Sequence, residues 1–193
     1  MKFEPERSKS DLSTSDTALI IIDMINDFHF DMGDVLSKKT EEMADDILAL
    51  KKHAKKMNWP IIYINDHFGI WQADIAAIMK KCKNDRSKNI IERLAPKESD
   101  YFLIKPKHLA FYGTALETLL NELHIHHLII TGIAGNICVL FTANDAYMRE
   151  YEITIPHDCI ASNHEEDSKY ALTIMENVLF ANITTAKHLI AET

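Results

Sequence analysis

Glycine, proline and cysteine are all scarce in this chain. It contains five glycines and five prolines among 193 residues, which excludes collagen-like and other low-complexity classes. Its three cysteines are an odd number with no Cys-x-x-Cys pair, so the sequence indicates neither a disulfide framework nor a zinc ribbon. We therefore expect a protein that works in a reducing compartment.

Long apolar runs and an excess of positive charge are also missing. No uninterrupted apolar stretch approaches the ~18 residues that a membrane span needs. Residues 1–16, which we interpret as an N-terminal extension, lack the apolar segment of a signal peptide. The formal net charge of −8 argues against a nucleic-acid partner. The sequence thus predicts a cytoplasmic protein that binds neither membranes nor nucleic acids.

Strand-like apolar runs alternate with helix-like patterns along the chain, and apolar residues make up 47% of it. The runs are continuously apolar, as expected for a parallel sheet covered on both faces. We predict a single α/β domain over residues 1–193, a three-layer, doubly wound and mainly parallel sheet of about six strands with helices on both faces. The predicted strands are Thr17–Asp23, Pro60–Asn65, Tyr101–Lys105, His127–Thr131, Glu152–Pro156 and Asn182–Thr185. The predicted helices are Lys38–Asn58, Trp71–Cys82, Ser87–Leu94, Gly135–Glu150 and two that follow the capping patterns Thr114/Glu117 and Asn163/Glu166.

Reactive side chains stand at or just beyond the ends of three predicted strands. Asp23 ends the first strand, Lys105 ends the third, and Cys138 follows the loop after the fourth. Because ligands bind beyond the carboxyl ends of strands in such sheets, these residues are candidates for one site. A helix N-terminus and a nearby lysine favour a thiolate, and an aspartate within reach can act as base. From position alone, burial in the core is the commoner role for such a cysteine.

Two stretches, ALIIIDMINDF around Asp23 and Lys105–Ser162, resemble the isochorismatase-like cysteine hydrolase superfamily. The resemblance extends over nearly the whole chain, with the motifs in the family's order. It implies that Asp23, Lys105 and Cys138 form the family's Asp–Lys–Cys triad. Together with the expected thiolate, this predicts that Cys138 alkylates readily at neutral pH.

The resemblance also implies the geometry beside the nucleophile. The family has a cis peptide bond that corresponds here to Ile133–Ala134, and it directs backbone N–H groups at the substrate oxyanion. In this chain those groups would belong to Ala134 and Cys138. Many members have threonine where this chain has Gly135, so the effect of Gly135 on specificity stays open.

The presence of Cys138 favours one reaction among those of the family. Members that cleave vinyl ethers typically lack the nucleophilic cysteine, so the resemblance implies hydrolysis of an amide or carbamoyl C–N bond of a small molecule through a thioester. Two alternatives stay open. One is isochorismatase-type vinyl-ether hydrolysis with Asp23 as acid, and the other is a non-catalytic binding protein on the same scaffold. The resemblance further implies a homo-oligomer, either a dimer or a tetramer.

The metal site of the nicotinamidase-like members is incomplete in this sequence. Those members use an Asp-x-His motif, whereas here Asp66 is followed by His67 and Phe68. We therefore expect no metal and no other cofactor, and the roles of Asp66 and His67 stay open.

Family pockets hold planar substrates between aromatic side chains that follow the strands. The aromatic residues in comparable loops here predict substrate contacts by Phe28, Trp71, Phe111 and Tyr112, with core packing or subunit contact as the alternative. His29 and His108 are candidates for contacts with a polar substrate group, although a structural role is commoner for such histidines.

Overall fold

A seven-stranded parallel sheet forms the centre of the protein. The computed structural model describes residues 15–193, so most of the predicted N-terminal extension, residues 1–16, lies outside the described residues. The first strand ends at Ile22 because Asp23 takes a positive φ of 52°, which extended backbone does not allow. The strands are β1 Thr17–Ile22, β2 Ile61–Asp66, β3 Tyr101–Lys105, β4 His127–Ile133, β5 Glu152–Pro156, β6 Ile160–Ala161 and β7 Asn182–Thr184.

The strand order places a topological switch at the middle of the sheet. The order is β3-β2-β1-β4-β5-β7, and every ladder is parallel. The short strand β6 pairs with the last residues of β4, past those that pair with β5. The chain therefore winds outward from β1 to β3, returns to the centre and winds in the other direction from β4. Crevices at such switch points are where doubly wound sheets bind ligands. Here the switch lies between β1 and β4, the strands that lead to Asp23 and Cys138.

Helices cover both faces of the sheet, as predicted. The helices are α1 Gly33–Glu42, α2 Ala44–Lys56, α3 Ile75–Cys82, α4 Lys88–Leu94, α5 Leu116–Glu122, α6 Leu140–Tyr147, α7 Glu165–Asn177 and α8 Ala186–Glu192. One core packs alternate strand residues such as Ile20 and Ile130 against α5, α6 and α7. The other packs residues such as Ile21 and Ile129 against α1, α2, α4 and α8. Within residues 15–193, none of these helices combines the length and apolar character needed to cross a bilayer.

Several helix boundaries differ from those predicted. The helix predicted over Lys38–Asn58 is two helices that meet at Met43. The helix predicted from Trp71 begins only at Ile75, because the Asp74 carboxylate accepts a hydrogen bond from the backbone N–H of Ala77 and fixes the start there. The first turn of the helix predicted from Gly135 is π-helical over Gly135–Val139, and α6 follows it.

Neither predicted capping box forms. The Thr114 hydroxyl accepts a hydrogen bond from Leu116 N at 3.1 Å and donates one to Ala110 O at 2.6 Å, so it binds within its own turn. Helix α7 follows His164, and no side-chain cap is present there. The short strand β6 is missing from the predictions because two residues give no readable periodicity.

Candidate active site

Three polar side chains from different strand ends meet in one place. Lys105 Nζ lies 2.8 Å from Asp23 Oδ2 and 3.6 Å from Cys138 Sγ. All three residues are buried, with exposed fractions of 5% for Asp23, 2% for Lys105 and 8% for Cys138. The sequence-based expectation that these residues come together agrees with this geometry.

Asp23 is held by backbone as well as by the lysine. Its positive φ turns the chain immediately after β1, a conformation that non-glycine residues seldom adopt. Its Oδ1 accepts a hydrogen bond from the backbone N–H of Asp66 at 2.9 Å, at the end of the neighbouring strand β2. The other carboxylate oxygen is left to Lys105, so the carboxylate has a fixed orientation toward the site.

Burial sets the protonation behaviour of the cluster. It raises the pKa of the Asp23 carboxyl despite the opposing effect of Lys105, which makes the carboxylate a stronger base than usual. Burial disfavours the Lys105 ammonium, but the charges of Asp23 and Cys138 act in the other direction and leave the lysine pKa raised.

The pKa of the Cys138 thiol is raised, whereas the sequence predicted a lowered one. Burial raises its pKa to about 12, and the negative charge of Asp23 acts in the same direction. Lys105 lowers the pKa, but by less. The prediction overvalued the helix terminus and the lysine because the depth of the sulfur below the surface cannot be seen in a sequence.

The loop between β4 and Cys138 is held by hydrogen bonds within it and to Ser162. The Ile133–Ala134 peptide bond is cis. Asn136 N donates to Ser162 Oγ at 3.1 Å, and Ile137 N donates to Ala134 O at 3.0 Å. The N–H groups of Asn136 and Ile137 are therefore bound within the protein. The residues Ala134 and Cys138 both line the cavity beside the thiol.

A cavity of about 530 Å³ opens beside the cluster and has room for a small molecule. Its polar lining includes Asn26, Asp27 and Asn163, which the sequence analysis did not single out as site residues. His108 is among the lining residues, and its Nδ1 lies 3.9 Å from Cys138 Sγ. The lining residues are Asp23, Asn26, Asp27, His29, Phe30, Leu36, Asp66, Phe68, Lys105, His108, Ile133, Ala134, Ile137, Cys138 and Asn163.

The four aromatic residues predicted to bind substrate are not part of this lining. Phe28 is fully buried in the core below the site. Phe111 is also buried, where its ring stacks on Tyr151 on the other side of the sheet. Trp71 and Tyr112 are 65% and 59% exposed.

The aromatic surface of the cavity comes instead from Phe30 and Phe68. Phe28 has a positive φ of 53°, and its N–H is bound by the Asn26 side chain at 2.8 Å, so the turn buries Phe28 and leaves Phe30 at the cavity. A sequence offers no signal for which of two aromatic residues in one loop lines a cavity and which is buried in the core.

The residues around the incomplete metal motif are committed to other bonds. Asp66 Oδ1 accepts a hydrogen bond from Phe68 N at 2.6 Å. His67 Nδ1 accepts one from Gly69 N at 2.9 Å, and its ring stacks on Trp71 with centroids 3.9 Å apart. Within residues 15–193, no three His, Cys, Asp or Glu side chains are grouped as metal ligands. The absence of a metal stays a prediction, which rests on Phe68 in the place of the motif's histidine.

Comparison with known proteins agrees with the fold. The profile described as Isochorismatase domain matches residues 17–188. The chain is 67% identical over 179 residues to an uncharacterized isochorismatase family protein, YaaI, of Bacillus subtilis, covering 93% of this chain and 99% of that one. It is 31% identical over 106 residues to the ureidoacrylate amidohydrolase RutB of Pantoea ananatis, covering 55% of this chain but only 42% of that protein.

A solved structure extends the comparison to the fold. The N-carbamoylsarcosine amidase from Thermoplasma acidophilum superposes with a TM-score of 0.70 at 24% identity, over 89% of this chain and 97% of that chain. The predicted α/β architecture is confirmed by this likeness and by the sheet topology. The chain belongs to the isochorismatase family of hydrolases.

Proposed function

We propose that this hydrolase cleaves an amide or carbamoyl C–N bond of a small molecule through a thioester on Cys138. The observation that carries the proposal is the contact of one buried ammonium with both a carboxylate and a thiol, at 2.8 Å and 3.6 Å. A nucleophile, a base and a cation within hydrogen-bond reach are what acyl transfer requires. The similarity to an amidohydrolase supports the C–N bond as the target.

The first half of the reaction forms the thioester. Asp23 takes the proton of the Cys138 thiol while the sulfur attacks the carbonyl carbon, so a C–S bond forms and the carbonyl oxygen becomes an oxyanion. The backbone N–H groups of Ala134 and Cys138 stabilise that oxyanion. When the intermediate collapses, the C–N bond breaks and Asp23 returns its proton to the leaving nitrogen.

The second half releases the acid. Asp23 takes a proton from water, whose oxygen attacks the thioester carbon. The C–S bond then breaks, and the thiolate of Cys138 recovers the proton from Asp23. Lys105 stays charged throughout, because its pKa is raised by its two partners, and it offsets the negative charge that moves between them. The high pKa of the thiol fits this sequence, since thiol and carboxylate need not both be anionic at rest.

The test is a hydrolysis screen of primary amides and carbamoyl compounds, with wild type, Cys138→Ala and Cys82→Ala. Cys82 is a buried thiol outside the cavity and serves as the matched control. We expect turnover with wild type and Cys82→Ala, and a loss of at least about 100-fold with Cys138→Ala. Mass spectrometry of the acid-quenched and digested protein should find the acyl group on the peptide that contains Cys138.

Two results would favour the alternative functions, which are vinyl-ether hydrolysis and non-catalytic binding. Turnover that survives in Cys138→Ala would remove the thioester and favour acid catalysis by Asp23, as in vinyl-ether hydrolysis. Binding of these compounds without turnover by any form of the protein would favour a non-catalytic role.

A further inference from the structure

The cavity beside the thiol has an uneven charge. Among the described residues that line it, three are carboxylates, Asp23, Asp27 and Asp66, whereas Lys105 is the only lysine or arginine. His29 and His108 add imidazoles, which carry charge only when protonated. A ligand that enters the cavity therefore meets more negative than positive charge.

The single cation is already used. Lys105 Nζ is 2.8 Å from Asp23 Oδ2, 3.2 Å from Lys107 O and 3.6 Å from Cys138 Sγ. A substrate carboxylate could bind this ammonium only by displacing the carboxylate that the reaction needs. Lys105 is therefore unable to serve as an anchor for an anionic substrate group.

Two cations near the cavity wall, Lys39 and Arg86, bind other groups. Lys39 Nζ donates to Ser162 O at 2.9 Å and to Asn163 O at 3.2 Å. Arg86 donates to Phe28 O at 2.9 Å and pairs with Asp34. Both bind backbone carbonyls of the loops that form the wall, and neither is among the residues that line the cavity.

The two additional carboxylates are fixed in place by their own loops. Asp27 Oδ1 accepts a hydrogen bond from His29 N at 3.0 Å, and Asp66 Oδ1 accepts one from Phe68 N at 2.6 Å. These backbone bonds position the charges without cancelling them. His29 Nδ1 lies 3.9 Å from Asp27 Oδ2 and offsets the Asp27 charge only when the imidazole is protonated. Asp27 and Asp66 thus present fixed negative charge to the part of the substrate beyond the scissile bond.

From this arrangement we propose that the substrate is uncharged or cationic beyond its amide or carbamoyl group, and that Asp27 and Asp66 exclude carboxylate-bearing compounds. The proposal rests on the proposed C–N hydrolysis at Cys138. The proposal excludes substrates such as ureidoacrylate, which carries a carboxylate and is specified by the name of one relative. Like charges at close range disfavour the wrong ligand, and specificity built on such repulsion is common.

The first experiment measures charge selection at the thiol without any hydrolysis. Iodoacetamide and iodoacetate have the same reactive carbon and differ mainly in charge. The ratio of their alkylation rates at Cys138, divided by the same ratio for a cysteine peptide, is independent of the thiol's own ionisation. We expect this corrected ratio to favour iodoacetamide about tenfold or more at low ionic strength.

Two variants and one control identify the source of the selection. Asp27→Asn and Asp66→Asn should each reduce the corrected ratio several-fold. Asp85→Asn removes the same charge from a side chain that is 100% exposed and outside the cavity, and it should leave the ratio unchanged. If a variant fails to fold, added salt applied to the wild type makes the same test, because screening should raise the iodoacetate rate selectively. A corrected ratio near one in the wild type would overturn the proposal, as would equal effects of all three variants.

The second experiment uses three aromatic amides of similar shape, namely benzamide, 3-carboxybenzamide and 3-(aminomethyl)benzamide. We expect kcat/KM to be at least about tenfold lower for the anionic compound, mainly through KM. Equal hydrolysis of all three would overturn the charge selection and leave the C–N hydrolysis intact. If none is hydrolysed, the alkylation ratio still decides on the charge selection, while C–N hydrolysis is judged by the broader screen.

Discussion

The ammonium of Lys105 lies 2.8 Å from Oδ2 of Asp23, although the strands that lead to these residues are separated in the sheet by β2. The lysine side chain spans that strand to reach the carboxylate. Both side chains are nearly inaccessible, at 3% and 7% exposure, so neither charge can be solvated if its partner is lost. The contact therefore affects the stability of the protein as well as its chemistry.

Replacing Lys105 with methionine should destabilise the protein. The substitution leaves the Asp23 carboxylate buried without its cation, and breaking one side of a buried pair costs about 3–5 kcal/mol. Urea denaturation at neutral pH measures the free energy of unfolding. The double variant Lys105→Met with Asp23→Asn should recover part of the loss, because no unpaired charge is left. A double variant as unstable as the sum of the two single variants would mean that the pair is not coupled.

The alkylation rate of wild-type Cys138 should rise steeply with pH and show no plateau below pH 10. Its pKa of about 12 lies above its ordinary value, so the thiol form persists through neutral pH and the thiolate fraction grows about tenfold per pH unit. Burial also raises the pKa of Cys82 to about 12, but this residue lies outside the cavity and should react more slowly at every pH. A plateau near pH 7 for Cys138 would contradict this assignment.

Asp23→Asn should change reactivity and turnover in opposite directions. Removing the negative charge beside the sulfur lowers the pKa of Cys138, so alkylation at pH 8 should become faster. Hydrolysis should fall by about 100-fold or more, because the group that moves the proton is gone. Rates of iodoacetamide labelling and of amide hydrolysis, measured on the same preparation, check both effects. Parallel losses in the two rates would indicate a damaged site rather than a missing proton carrier.

Much of the site could be predicted because it depends on strand ends. The apolar runs before Asp23 and Lys105 are unambiguous in the sequence, and parallel strands carry their carboxyl ends to one edge of the sheet. The resemblance to a known family then singled out Cys138. The assembly of the protein into a homo-oligomer and its cytoplasmic location stay predictions.

What the sequence could not supply are properties that depend on loop geometry and depth. That Phe30 lines the cavity while Phe28 is buried follows from the positive φ at Phe28, which no sequence pattern marks. The raised pKa of Cys138 follows from burial by residues distant in the chain. Even the break between α1 and α2 at Met43 has no glycine or proline to mark it.

Gly135→Ala should disturb the nucleophile loop through Ser162. A Cβ at position 135 would lie 3.0 Å from Ser162 Oγ, closer than ordinary contacts, and that hydroxyl is held in place as the acceptor for Asn136 N. We expect a loss of about 1–3 kcal/mol in the free energy of unfolding, typical of overpacking, together with reduced turnover. Ser162→Ala removes the obstructing oxygen but leaves Asn136 N without its acceptor, so it should cost about 1–3 kcal/mol as well. The double variant should be more stable than the sum of the two losses predicts, because the added methyl group then occupies the space that the hydroxyl has left. Urea denaturation of the four proteins completes this cycle, and strict additivity would mean that Ser162 does not limit the size of residue 135.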